Sequence, residues 1–510
     1  MRKRMNALAE NTLWCIATFI LLSIFALNVF YHTTISYDAA EKITIHGFGA
    51  AGILILLLVG LLVLLLQRFS ESLKHLNQHW LFLLFSLVYC AFAAYLIANS
   101  NTALRADAGT VYHIAQEFRQ GNYDTFAQGG YMSVYPHQLG LMMFDLLISF
   151  LALTPVLNFS VNLLMVLGIN FFCWKISKEL SGDRMVHFLT LLLSFAFFPQ
   201  LFFIMFVYGQ IPGLFFLCMG FYFTLRFART SSWASCLGVL LCISMAVLLR
   251  KNNLIGGIAI TLYLLLLWID RKNGRQLMAA AMAVICMIVP GKLLQGYVEE
   301  KTHSDLDGGC PAVLWIAMGT DIENEVRGPG WYNNFSYNTF ADTGFQQELA
   351  AELGKEKLCE NMHKIIQNPR EAFSFFYRKV ISTWCDPLYQ SIWSGPMQIA
   401  DQTTYTPLLL SLYGDGKAED FADMCAKFVS LLLYTGVCAF LVLGGKKERG
   451  WELMFLYMIG GVLFHLFWET KSQYVYPYVF CLIPLSASGL HRLMQLAGKR
   501  LKKQERSVLS

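Results

Sequence analysis

Apolar and polar positions along this chain come in long blocks rather than short alternations. A membrane helix needs roughly 20 consecutive apolar residues. Runs of that kind lie at Thr12–Tyr31, Phe48–Gln67, Trp80–Ala98, Phe159–Lys175, Val186–Phe206 and Ile211–Leu225. Six more lie at Trp233–Leu249, Leu254–Asp270, Leu277–Leu294, Met424–Leu443, Glu452–Trp468 and Tyr474–Leu490. The pattern predicts an all-α polytopic membrane protein with about twelve transmembrane helices. One further run, Leu139–Leu153, is shorter and contains Asp145.

Charge decides how the runs are threaded. Loops on the cytoplasmic side carry an excess of Lys and Arg. With the basic start MRKR inside, that side receives Arg68 and Lys74, then Lys178 and Arg184, then Arg226 and Arg229. It also receives Arg271, Lys272 and Arg275, then Lys446, Lys447 and Arg449, and the tail from Lys499 to Arg506. The parity holds only if Leu139–Leu153 does not span, which predicts an interfacial or re-entrant helix there. The first run is too long for a signal-peptide core and no small-x-small site follows it, so it is read as a retained helix. The expected protein is a multi-pass cell-membrane protein with both termini cytoplasmic. Arg250 and Lys251 are the exception, since they fall on the outer face. Headgroup contact by snorkelling side chains explains them, and so does a site for a phosphate reached from the outer leaflet.

Two larger polar segments then face outward. The chain divides into an N-terminal transmembrane hairpin with its cytoplasmic loop at 1–79 and a transmembrane core at 80–294, which holds the first outer loop at 99–158. A small, mostly helical extracytoplasmic cap follows at 295–423, and C-terminal helices with the basic tail occupy 424–510. In the cap, Gly344–Gln367 has helical periodicity and Asn368–Pro369 ends it. Gly-Pro-Gly before Trp331 marks a turn.

Composition agrees with the pattern. Charged residues make up 14% of the chain, against about 25% in soluble domains, and the mean hydropathy is +0.48. The net charge is +5, with cations set by topology, which points away from nucleic acid. Most of the 13 cysteines lie in apolar runs as small hydrophobes. Cys310 and Cys359 fall in the cap and are open to two readings, a disulfide or free thiols.

Candidate chemistry gathers in the outer loops. Asp107 stands a few residues beyond Trp80–Ala98. It fits an N-cap for a helix over Ala108–Arg119, and it also fits a carboxylate held at the membrane surface for use. Asp124 reads as a turn residue. His137 opens the interfacial helix at the level of Asp107. Tyr112 is equally well explained as a belt anchor. The last outer loop, ETKSQYVYPY, contributes Glu469, Lys471 and Tyr474, a polar cluster of the kind found on substrate paths. Gln210, in YGQIP, points to the same cavity.

The stretches RADAGTVYHIA, YPHQLGL, LLRKNN and ETKSQYVYPY, in this order and topology, resemble the GT-C glycosyltransferases. The likeness is greatest to bacterial glycosyltransferase family 39-like proteins, which are similar to protein O-mannosyltransferases and the lipid A aminoarabinose transferase. It covers the layout from about Trp80 onward. The family's key acid usually follows the first span, whereas Asp107 follows the third, so Thr12–Gln67 looks like an added hairpin. The resemblance implies a sugar donor on polyprenyl phosphate and an extracytoplasmic active site. The acceptor is a cell-envelope glycan, lipid or protein, and the bilayer is the surrounding partner. Asp107 then acts as general base, and Arg250 and Lys251 neutralise the leaving phosphate. No cofactor is implied, and because Asp107 has no acidic neighbour a divalent metal is not indicated. The rival classes are a polytopic transporter or glycolipid flippase, and a membrane scaffold. Transporters usually set ionisable residues at the bilayer midplane, while here they gather at one face.

Overall fold

A computed structural model of the chain describes residues 2–36, 41–396, 406–414, 416–448 and 450–509. The architecture is helical, and the chain is a multi-pass membrane protein. Among the described residues, eight helices are long and apolar enough to cross a bilayer: Ala7–Phe30, Gly49–Arg68, Gln78–Asn99, Pro155–Leu180, Gln210–Thr230, Lys251–Arg271, Gly274–Thr302 and Lys417–Val442. Two bent pairs raise the number to ten, Arg184–Ala196 with Pro199–Met205 at 47° and Ser472–Cys481 with Ile483–Arg500 at 54°. The breaks have a cause in the sequence. Pro199 and Pro484 follow them, and proline clashes with the carbonyl four residues back. The two remaining expected spans, Trp233–Leu249 and Trp451–Phe467, are helices of 17 residues each.

Loop chemistry sets where the helices start. Asn77 caps Gln78–Asn99 by accepting from the His79 and Trp80 N–H groups, Thr154 caps Pro155–Leu180, and Asp183 caps Arg184–Ala196. Leu57, Leu61, Leu87, Leu164 and Leu293 are all more than half exposed, a pattern suited to lipid rather than water.

The segment expected to be interfacial or re-entrant is a helix over Leu139–Ser149, 11 residues long. At 1.5 Å per residue it reaches about 16 Å, roughly half the hydrocarbon thickness. Its Leu139, Leu141, Met142 and Leu146 pack with Val111, Ile114 and Phe118 in a small core. The residues after it, Phe150, Leu151 and Leu153, are strongly exposed.

Between the first two long helices the chain forms a β-hairpin, β1 (Tyr31–Ile35) antiparallel to β2 (Ile43–Gly47), with Tyr31 opposite Gly47 and Ile35 opposite Ile43. Threonine and isoleucine favour this extended form. The N-terminal segment is therefore more than a membrane hairpin. Ile43 N–H donates to the Arg327 carbonyl at 2.9 Å, which ties β2 to the cap.

The cap is helical. It contains Ala312–Gly319, Phe335–Asp342, Gln347–Gln367 and Pro369–Trp384. The expected stop at Asn368–Pro369 appears as a junction, where one helix ends and the next begins at the proline. The Gly328–Trp331 turn closes through Trp331 N–H to the Gly328 carbonyl at 3.1 Å. Cys310 and Cys359 are free thiols.

Candidate functional site

Asp107 lies inside the first turn of the helix Ala106–Gln120, whose N-cap is Arg105. The capping role is thus not what its position serves. The preceding residue, Ala106, is held at φ 48°, a left-handed conformation that costs a non-glycine residue about 1–2 kcal/mol. Strain of this kind persists where surrounding structure enforces it. The Asp107 side chain lines a polar cavity of about 360 Å³. Glu41, Tyr131, Arg327, Tyr332, Glu469 and Lys471 also line that cavity.

The surface of Asp107 opens on the cavity while protein surrounds it. Burial raises its pKa above the ordinary carboxylate value, and Lys471 and a hydrogen bond from Tyr131 oppose the rise. Glu41 joins two cations, Lys471 at 2.5 Å and Arg327 at 3.5 Å. Burial works against the charge of Lys471, but Glu41 and Glu469 overcome it and hold its pKa above the usual lysine value. Both cations also lie against the Tyr332 ring.

A second, larger cavity of about 720 Å³ adjoins the first. His137, Gln138, Tyr208, Trp315, Glu469 and Tyr474 line both. Its walls are largely apolar, with Leu249, Leu254, Ile255, Ile258 and Phe464, and it carries Arg250 and Lys251. Arg250 is firmly positioned. Its Nη1 donates to Gln210 Oε1 at 2.6 Å, and Gln210 Nε2 donates to Gln473 Oε1 at 2.6 Å. Its guanidinium stacks within 5.2 Å of the Tyr208 ring centre and 5.4 Å of that of Tyr474. The approach depends on Gly209, where a Cβ would lie 2.2 Å from the Leu249 carbonyl oxygen. Gln138 Nε2 donates to the Tyr208 hydroxyl.

His137 stands where the two cavities meet. Burial, with Lys251 and Arg250 nearby, pushes its pKa down to about 4, so the ring is neutral near pH 7. Glu469 is 4% exposed, and its Oε1 has no hydrogen-bond partner among the described residues. Burial pushes its pKa up to about 7 against the pull of Lys471. Its loop is pinned from the cap: Glu469 N–H donates to the Trp315 carbonyl at 3.2 Å and Thr470 N–H to the Gly330 carbonyl at 3.0 Å. Lys379 Nζ donates to the Trp468 carbonyl at 2.8 Å.

Of the residues singled out from sequence, Asp107, His137, Glu469, Lys471 and Tyr474 line the polar cavity, and Arg250 and Lys251 line the apolar one. Gln210 stands behind Arg250 as its support. Tyr112 lies apart. It is 4% exposed in the helical core and lines neither cavity. Glu41, Arg327, Tyr135 and Tyr332 complete the site without having been singled out, and so does Tyr131, which aromatic-belt anchoring explains as well as it does Tyr112. Glu299, Asp305 and Asp307 approach one another at the end of Gly274–Thr302, where Lys292 pairs with Asp307 at 2.9 Å and the Leu306 N–H reaches Glu299.

Three carboxylates, Glu41, Asp107 and Glu469, line the polar cavity, which opens into a cation-bearing apolar one. Glu41 is engaged by Lys471 and Arg327, and Asp107 is placed to take a proton from a bound hydroxyl while cations hold an anion. No protein-family model matches the chain, and no curated protein matches it in sequence.

Proposed function

We propose that the chain is a twelve-span glycosyltransferase of the GT-C type that works on the extracytoplasmic face, with both termini in the cytoplasm. It moves a sugar from polyprenyl phosphate to an acceptor hydroxyl on a cell-envelope glycan, lipid or protein. The observation that carries this reading is the confluence of two unlike cavities, the polar one with Asp107 and the apolar one with Arg250 and Lys251. A polyprenyl phosphate needs an apolar path for its tail and cations for its phosphate. A sugar and an incoming hydroxyl need the polar side.

Asp107 accepts the proton of the acceptor hydroxyl. The acceptor oxygen forms a bond to the anomeric carbon as the bond from that carbon to the phosphate oxygen breaks. The electron pair leaves with the phosphate, where Arg250 and Lys251 stabilise the charge. In-line displacement inverts the anomeric centre. A raised pKa strengthens a carboxylate as a proton acceptor, and neutral His137 is available to hydrogen-bond the sugar.

The test is sugar transfer by Asp107→Asn in proteoliposomes supplied with polyprenyl-phosphate sugar, at matched protein level and thermal stability. Transfer is expected to fall by about 100-fold or more, the scale of general-base loss. Retained transfer removes the proposed base. Donor movement between leaflets, with no glycosylated acceptor formed by the wild type, points to a flippase instead.

A further inference from the structure

A separate cavity of about 410 Å³ lies at the far end of the helix Gln78–Asn99, one helix length from the Asp107 site. Gln78, His79, Trp174, Lys178, Arg184 and His187 are among the residues that line it. Its floor is buried and internally bonded. Trp174 Nε1 donates to Gln78 Oε1 at 3.1 Å, and Gln78 Nε2 donates to the Arg184 carbonyl at 2.9 Å. Lys178 Nζ stands 3.4 Å from the Trp174 ring centre, and the His79 ring meets that ring edge-on at 5.0 Å.

The charge in this cavity is one-sided. Among the described residues, no carboxylate lines it. The neighbouring acids are engaged elsewhere: Asp183 with His491 at 3.0 Å and with the Met185 N–H, and Glu179 with Arg229 at 3.2 Å. Neither Lys178 nor Arg184 has a carboxylate partner among the described residues. The opening sits beside lipid-facing surface, because Trp80 is 70% exposed and Leu83 and Leu84 are each 54% exposed. Tryptophan at that position marks the level where acyl chains meet headgroups.

We infer that this cavity binds a phosphate-bearing anion, supplied either by an anionic phospholipid headgroup or by free phosphate. Lys178 provides a point charge, and Arg184 provides a planar fork that matches phosphate oxygens. His79 adds a ring donor, and Trp174 forms an apolar wall beside the glycerol or acyl end. Cations at this level attract anionic lipid. The site is independent of the sugar-transfer chemistry.

The test is thermal unfolding of the full-length protein in detergent with added phosphatidylglycerol, phosphatidylcholine or inorganic phosphate. Phosphatidylglycerol is expected to raise Tm by ~3 °C or more and phosphatidylcholine not to, with the gain cut at least by half in the K178Q/R184Q variant. An equal gain from inorganic phosphate, lost in the same variant, assigns the site to free phosphate. R184Q alone, at an exposed side chain, supplies the reading if the double variant does not fold, and K272Q serves as a control that keeps the gain. The inference is overturned if neither phosphatidylglycerol nor phosphate stabilises the wild type beyond phosphatidylcholine, or if the variants keep the full wild-type gain.

Discussion

Lys471 and Glu41 meet at 2.5 Å although 430 residues separate them. The pair joins the residues just before β2 to the loop ahead of the helix Ser472–Cys481, and Arg327 of the cap closes on the same carboxylate at 3.5 Å. Three parts of the chain that look independent in sequence thus share one charge cluster beside Asp107. The N-terminal hairpin is built into the candidate site.

Glu41→Gln should therefore act on stability as well as on the cavity. Removing one member of a buried ion pair costs roughly 3–5 kcal/mol. Glu469 remains close to Lys471, so the loss is expected at the low end of that range, about 3 kcal/mol. Chemical or thermal unfolding in detergent checks it. The swapped variant Glu41→Lys with Lys471→Glu should regain part of the loss. A change under about 0.5 kcal/mol in Glu41→Gln would show that the pair carries no weight.

Glu469 gives a prediction with a pH sign. Its folded pKa, about 7, lies above the unfolded value near 4.5. Between those values the folded state holds a proton that the unfolded state has lost. Stability falls as pH rises through this window. Glu469→Gln imitates the protonated form, so it should stabilise the protein at pH 8 and change little at pH 4. The gain at pH 8 is on the order of 3 kcal/mol, at about 1.4 kcal/mol per pH unit. A variant equally stable or weaker at pH 8 would contradict a cost for ionising the buried Glu469.

The membrane helices were legible because bilayer spans leave long apolar runs, and the breaks at Pro199 and Pro484 follow from proline chemistry. Only charge bears on the orientation of the loops, and Arg250 and Lys251 stand out because they break its rule. Glu41 carries no local signal, because it lies in a short polar link between two apolar runs. The period-two alternation in YHTTI and ITIHG was the available signal for a hairpin. Tyr112 was misleading for a geometric reason. It lies five residues after Asp107 in one helix, about 140° round the axis at 3.6 residues per turn, and so points into the core. Tyr131, Tyr332 and Arg327 reach Asp107 only through tertiary folding of the cap, which no local pattern encodes.

Gly330 should tolerate no side chain. Its φ is +68°, and a Cβ there would meet Lys379 Cε at 2.6 Å. Lys379 is not free to move aside, because its ammonium holds the Gly319 carbonyl at 2.5 Å and the Trp468 carbonyl at 2.8 Å. Gly330→Ala is expected to cost roughly 1–3 kcal/mol and to loosen the Glu469 loop. Hydrogen exchange at residues 468–470, faster in the variant than in the wild type, is the measurement. Unchanged exchange would mean that the loop is held without this contact.

Arg250 should not be replaceable by lysine. The guanidinium bonds Gln210 while lying against the rings of Tyr208 and Tyr474, and an ammonium cannot reproduce that planar fit. Arg250→Gln is expected to raise the KM for the polyprenyl-phosphate donor by about tenfold or more, the effect of roughly 1.4 kcal/mol, with the acceptor KM little changed. Arg250→Lys should recover only part of the loss. Equal rises in both KM values would place Arg250 away from the phosphate.

The pH profile of transfer separates Asp107 from His137. A base works only when deprotonated, so activity should rise with pH as Asp107 loses its proton, at a pH above the ordinary carboxylate range because burial favours the neutral acid. His137, with its pKa pushed down to about 4, is already neutral across pH 6–9 and contributes no titration there. His137→Gln should therefore lower the rate or weaken sugar binding, yet leave the shape of the profile between pH 6 and 9 unchanged. Asp107→Glu, which keeps a carboxylate but moves it by one methylene, should retain a trace of activity and shift the acid limb. An acid limb that disappears in His137→Gln would transfer the role of base from Asp107 to the imidazole.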